Sequence, residues 1–201
     1  ESINAAGVMQ IPLVMSVWDD GYGISVPRKY QTTKGSISDA LAGMQRSETK
    51  DGYEIFVTRG WDYPHLCETY EKAVKLAREE HVPVLIHVKE VNQPQGHSTS
   101  GSHERYKSTE RLQWEKDFDC VEKFKSWILE FDANGNTIAS LNELEKIQTD
   151  AKQKVRDAKN KSWKLYTKDI HIDLVEACAL LKSLSQISSQ KIFIEKEIEG
   201  L

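Results

Sequence analysis

Two short stretches of this chain hold residues whose types and spacing could do chemistry. The first is Asp19-Asp20-Gly21-Tyr22-Gly23-Ile24-Ser25, which follows an apolar run ending at Trp18. A carboxylate at the carboxyl end of a buried strand, beside free backbone carbonyls, suits a hard, oxygen-seeking cation such as Mg²⁺. By itself an Asp-Gly turn after a strand is more often structural than functional. The second is Gln95-Gly96-His97-Ser98-Thr99-Ser100-Gly101-Ser102-His103, within a polar loop. A lone loop histidine usually has no function. No Asp or Glu is placed by the sequence to orient either imidazole, so a serine-hydrolase triad is not expected.

The elements that must position these residues follow from hydrophobic pattern. Residues 11–18 are almost continuously apolar, which predicts a strand buried on both faces. Residues 28–52 are polar and carry Gly35, Gly43 and Gly52, which predicts a long loop with one helical turn. A second strand is expected over 53–58. A helix is expected over 64–80, where Leu66, Tyr70, Ala73, Val74 and Ala77 recur at helical spacing. A third strand spans 84–91, with Val84, Ile86 and Val88 on one face. Strand, strand, helix, strand in this order predicts an α/β fold, a parallel sheet with crossover helices.

Residues 92–109 form a polar stretch without periodicity, and long irregular loops in compact domains are often functional. A helical C-terminal region follows. One helix is expected over 112–131. A second starts at Ser140, whose hydroxyl and Glu143 can form a capping box. Its stripe of Leu141, Leu144, Ile147, Ala151, Val155 and Ala158 predicts packing against the sheet domain. A short apolar helix over 173–185 and an alternating stretch over 190–201 end the sequence.

Composition narrows the function classes. The net charge of −4, with acids and bases interspersed, offers no basic patch for nucleic acid. No apolar run has the length of a membrane span. Cys67, Cys120 and Cys178 are scattered without CxxC spacing, which points to reduced thiols rather than a disulfide framework or a zinc site. With no secretory signal visible, the cytoplasm is the expected compartment, the mitochondrial matrix the alternative. The chain opens without Met and already in helical composition, which leads to the expectation of a piece of a larger protein.

Taken together, the two stretches resemble the alpha portion of the decarboxylating component of 2-oxoacid dehydrogenases, of branched-chain or pyruvate type. Those proteins carry a strand ending in Asn-Asn-Gly-Tyr-Ala-Ile-Ser and, well downstream, a Gly-His-Ser-x-Ser loop closed by Tyr-Arg. The counterparts here are Asp19 to Ser25, then Gly96-His97-Ser98-Thr99-Ser100 closed by Tyr106-Lys107. Glu1 to Ala6 resembles the helix following that family's diphosphate-binding Gly-Asp-Gly, and residues 72–86 fit its helix and strand before the loop. The departures are the Asp pair in place of Asn-Asn, Trp18 where an Arg can stand, and Gln93 near the usual Arg before the His.

The resemblance covers residues 1–160 and implies a partial thiamine-diphosphate-binding fold. Its implied activity is decarboxylation of a 2-oxoacid on thiamine diphosphate, with transfer of the acyl group to a lipoyl-bearing acyltransferase. It also implies that the Asp20 side chain and the Tyr22 carbonyl hold Mg²⁺, that Ile24 packs near the thiamine rings, and that His97 stabilises charge near the reacting centre. Ser98 falls where animal members are phosphorylated, a possible regulatory site. The second Mg²⁺ anion would lie upstream and the cofactor-activating Glu in a beta portion, fused or separate, within a homo-oligomer. The chain alone is therefore expected to be inactive. On this reading residues 1–110 are the cofactor domain, 111–161 the closing helices, and 162–201 a linker toward the beta portion. A transketolase-like thiamine enzyme and a non-catalytic interaction module are the alternatives.

Overall fold

The computed structural model describes residues 1–97 and 103–201, so Ser98 and its Thr99–Ser102 neighbours lie outside the described residues. The chain divides into two units, Glu1–Ile138 and Ala139–Leu201.

The first unit opens with helix α1 (Ser2–Met9), which ends where Gln10 turns left-handed at φ 48°. Strand β1 (Val14–Trp18) follows, then a small antiparallel ribbon of β2 (Tyr22–Gly23) and β3 (Val26–Pro27). Next come short 3-10 turns around helix α2 (Ile37–Leu41), which Ser36 caps through the Asp39 amide at 3.3 Å. Strand β4 (Glu54–Arg59), helix α3 (Tyr63–Glu80) and strand β5 (Val84–Lys89) complete a β-α-β unit. Asp62 caps α3, with Pro64 in its first turn, where a missing N–H costs nothing.

The sheet is parallel with order β1-β5-β4, Val14 and Glu54 both standing opposite Val84. The α/β fold with a parallel sheet is thus as expected, with one correction to its layout. Central β5 is the strand buried on both faces, whereas β1 lies at the edge of the three strands and leaves Trp18 71% exposed. Val84, Ile86 and Val88 pack with Ala73 and Ala77 of α3, joined by Val14, Phe56, Leu66 and Tyr70. The small residues at 73 and 77 let the helix lie close to the sheet. On the other face Leu85 shares a small cavity with Ala6, Met15 and Tyr53.

The single helix expected over 112–131 is two, α4 (Thr109–Asp117) and α5 (Cys120–Glu130). Asp119 makes the break, because its carboxylate accepts the Val121 and Glu122 amides at 2.9 and 3.0 Å and so starts a new helix. An aromatic cluster holds this pair to the start of α3: Trp61 meets Phe118 at 5.0 Å between ring centroids, and Tyr63 meets Phe124 at 4.3 Å. Each such pair adds about 0.5–1.5 kcal/mol beyond area burial.

The second unit is a helical hairpin. Helix α6 (Leu141–Ser185) runs 45 residues, about 68 Å at 1.5 Å per residue, and α7 (Lys191–Gly200) packs on it. The capping box of Ser140 and Glu143 is present. The separate helix expected over 173–185 is the end of α6, since no Gly or Pro interrupts the sequence between 141 and 185. The alternating stretch over 190–201 is helical as well. Within this unit Ile147 and Val155 of the α6 stripe are exposed. Among the described residues no helix is long and apolar enough to cross a membrane.

Candidate functional site

The turn after β1 is tied to central β5. The Asp19 amide donates to the Val88 carbonyl at 2.8 Å, and the Val91 amide donates back to the Asp19 carbonyl at 3.2 Å. His87, buried in mid-strand, joins its Nε2 to Asp19 Oδ2 at 3.0 Å and its Nδ1 to the Ser38 hydroxyl at 2.9 Å. Arg28 forms an ion pair with the same carboxylate, and the Gly21 amide donates to its other oxygen at 2.9 Å. Burial alone would raise the Asp19 carboxyl, but hydrogen bonds from His87, Arg28 and Gly21, with the charge of Arg28, outweigh it. They hold the group well below the usual carboxylate range.

Asp20 is in a different position. Its Oδ1 accepts the Tyr22 amide at 3.0 Å, and its other oxygen has no partner among the described residues. The ribbon then exposes a second oxygen. Tyr22 stands opposite Pro27, and the Arg28 amide donates to the Gly21 carbonyl at 2.8 Å, so Tyr22 occupies a non-hydrogen-bonded position. Its carbonyl therefore points away from the ladder. A carboxylate oxygen and a carbonyl oxygen, both hard donors, thus lie two residues apart on one turn, which fits part of a Mg²⁺ shell. Among the described residues no three His, Cys, Asp or Glu side chains come together as a complete metal site.

Asp20, Tyr22, Gly23 and Arg28 border an open cavity of about 220 Å³. Ile24, 63% exposed, has φ 60°, a strained conformation for a β-branched residue. Gly23, where the resembling family has Ala, is explained locally. The Gln31 amide donates to the Gly23 and Val26 carbonyls at 3.2 Å each and fills the space that a Cβ at 23 would need.

The second stretch reaches this turn through Tyr106. Its ring lies 5.6 Å from that of Tyr22, and its hydroxyl would be 2.6 Å from a Cβ at Gly96, whose φ is +70°. Glycine is therefore required just before His97, which is exposed at the edge of the described residues. Behind Tyr106, Lys107 donates to the Gln93 carbonyl at 2.9 Å and pairs with buried Glu115 at 2.8 Å. Arg111 donates to Glu115 at 2.9 Å and to the Asp20 carbonyl at 2.8 Å. Both stretches therefore meet at one end of the sheet.

Comparison with known proteins shows the family of the chain. The family model described as "Dehydrogenase E1 component" matches residues 1–170. The chain belongs to the dehydrogenase E1 component family. It is 30% identical over 137 residues to the alpha subunit of acetoin:2,6-dichlorophenolindophenol oxidoreductase of Bacillus subtilis, covering 67% of this chain and 38% of that protein. It is 26% identical over 160 residues to the pyruvate dehydrogenase E1 component subunit alpha of Rickettsia bellii, covering 79% and 44%. The chain thus spans about two fifths of the length of these two relatives. Members of the E1 family depend on thiamine diphosphate.

Sequence reasoning named Asp20, Tyr22, Ile24 and His97 but passed over His87, Arg28, Arg111 and Glu115. A histidine inside the apolar run Val84–Val88 and an Arg-Glu pair at i, i+4 were signals of buried polar networks. Nothing local marks Arg28 or Ser38 as partners of this turn.

Proposed function

We propose that this chain supplies one wall of a thiamine-diphosphate site in a 2-oxoacid dehydrogenase, as the later part of its alpha portion. The observation that carries the proposal is the division of labour between adjacent carboxylates. Asp19 is consumed by His87, Arg28 and the Gly21 amide, while Asp20 and the Tyr22 carbonyl offer oxygens outward from the same turn. Asp20 and Tyr22 would hold Mg²⁺ against the cofactor's diphosphate. The strained, exposed Ile24 would meet the thiamine rings. When bound, thiamine diphosphate supplies the electron sink for decarboxylation. The protein's part is to orient it and to place His97 as a donor near developing charge. Acyl transfer to a lipoyl-bearing partner, a beta portion completing the site, and Ser98 as a regulatory position belong to the same proposal. A phosphate at Ser98 would add negative charge beside an anionic cofactor.

The test uses the full-length protein with its beta portion, titrated calorimetrically with thiamine diphosphate and Mg²⁺, then assayed with pyruvate, branched-chain 2-oxoacids and acetoin. Asp20→Ala should abolish Mg²⁺-dependent binding. His97→Ala should lower turnover by about 10², the scale of one lost charge-stabilising donor. Turnover of His97→Ala within threefold of wild type, or unchanged binding by Asp20→Ala, would remove those roles. On this reading a second anion and a second wall of the site would come from residues other than these, and the chain alone should then bind the cofactor weakly.

A further inference from the structure

We infer that Glu115 is a positioning residue that sets the Asp20–Tyr22 turn and the base of the His97 loop together, an inference that rests on the cofactor site proposed above. Glu115 and Lys107 have side chains only 4% and 3% exposed, so this carboxylate is buried with its charge compensated on site. Burying a carboxylate is costly unless its partners are fixed, and here they are two cations serving different segments.

Arg111, four residues earlier on the same helix, gives Nε to Glu115 and Nη2 to the Asp20 carbonyl. The planar guanidinium makes this a rigid link, since fixing one edge against Glu115 fixes the direction of the other. Its charge also lies over the Tyr22 ring, 5.6 Å from the centroid. The second arm is Lys107, which spans from Glu115 to the Gln93 carbonyl, three residues before Gly96. Tyr106, next to Lys107, contacts Tyr22. One buried carboxylate thus holds the turn that presents the cation's oxygens and the segment that presents His97.

The experiment compares full-length wild type with Glu115→Gln, Glu115→Asp and Arg111→Gln. Two quantities are read: the Mg²⁺ concentration giving half-maximal thiamine diphosphate binding, and the rate of tryptic cleavage after Lys107, followed by mass spectrometry under native conditions. Glu115→Gln should raise the Mg²⁺ requirement at least tenfold and speed cleavage after Lys107 at least tenfold, with Glu115→Asp between it and wild type. Arg111→Gln should raise the Mg²⁺ requirement similarly while leaving cleavage after Lys107 unchanged, because the Lys107–Glu115 pair survives. If Glu115→Gln does not fold, Arg111→Gln decides, and an unchanged Mg²⁺ requirement there overturns the inference. Faster cleavage with unchanged Mg²⁺ dependence in Glu115→Gln also overturns it, since the clamp would then be structural alone. A wild type that binds no thiamine diphosphate overturns the proposed function, and this inference with it. A wild type that binds, beside variants that bind equally well, overturns this inference only.

Discussion

Around the Asp19–Tyr22 turn, hydrogen bonds join residues far apart in sequence: His87 to Asp19 across 68 positions and Arg111 to the Asp20 carbonyl across 91. Along α6 the side-chain bonds are local. Thr149 donates to the Glu145 carbonyl, Gln153 to Asp157 and Thr167 to the Trp163 carbonyl, each four residues apart. The turn exists only when the sheet has assembled and brought its partners to one place. The helix is specified residue by residue, through propensity, a cap and the absence of breakers. Substitutions should therefore be expensive in the first region and nearly free in most of the second.

The largest effect is expected at Asp19. Removing its carboxylate leaves buried His87 without its Nε2 partner and Arg28 without its anion. Leaving a buried polar group such as His87 without its partner typically costs about 1–3 kcal/mol, to which the loss of the Arg28 partner adds. Asp19→Ala should lower the stability of the first unit by that amount in urea unfolding followed by tryptophan fluorescence. A loss under about 0.5 kcal/mol, the range of ordinary surface changes, would show that the network does not organise this turn.

Next comes Gly96→Ala. A Cβ there would meet the Tyr106 hydroxyl at 2.6 Å and His103 Cβ at 2.9 Å, on a backbone already at φ +70°. The left-handed conformation alone costs a residue with a Cβ about 1–2 kcal/mol. The expected result is a loss of about 2 kcal/mol in the same unfolding assay, accompanied by weaker Tyr22–Tyr106 contact in near-ultraviolet circular dichroism. Unchanged stability would mean that this loop can re-form around an alanine.

The same contrast explains what the sequence made legible. Period and punctuation were sufficient for α3, for β5 with Val84, Ile86 and Val88 on one face, and for the Ser140–Glu143 box, because each is decided within a few residues. The break at Asp119 was readable too, as an Asp followed three residues later by Glu122, but the expected helix over 112–131 ran through it. Burial of β1 was misjudged because apolar composition does not say which strand will be central. At the site, the strand-turn pattern marked only the Asp19–Ser25 stretch, and the resemblance to a known family pointed to Asp20 and Tyr22 within it. Choosing between Asp19 and Asp20 on physical grounds depended on His87 and Arg28, whose approach is a property of the assembled sheet. Glu115 needed both the sheet and the Gln93–Lys107 segment in place.

A smaller effect is expected at the head of α6. The Glu143 carboxyl is held below its usual value by the Ser140 amide and then by the Ser140 hydroxyl. A folded-state value depressed in this way contributes stability that is fully present above the unfolded value of about 4.3. That contribution is lost as pH falls through the depressed folded value. The far-ultraviolet helix signal should therefore weaken as pH drops below about 4. Ser140→Ala, which keeps the backbone amide at position 140, should cost about 1 kcal/mol at neutral pH, whereas Glu143→Gln should flatten the acid limb. An acid limb that persists unchanged in Glu143→Gln would assign it to other carboxylates.

The smallest effect, and the sharpest test of the contrast, is expected at Val155. The notion of a buried stripe along α6 predicts that this valine packs in a core, where deleting its apolar side chain would cost well over 1 kcal/mol. In the structure Val155 is 68% exposed. Its helix propensity is close to that of serine, so Val155→Ser changes little in the helix itself. The midpoint of thermal unfolding and the far-ultraviolet spectrum of the full-length protein should match wild type, with stability altered by less than about 0.5 kcal/mol. A loss above about 1 kcal/mol would mean that Val155 is covered in the assembled protein. The local rules that describe α6 would then be incomplete in the same way that they were incomplete for the Asp19 turn.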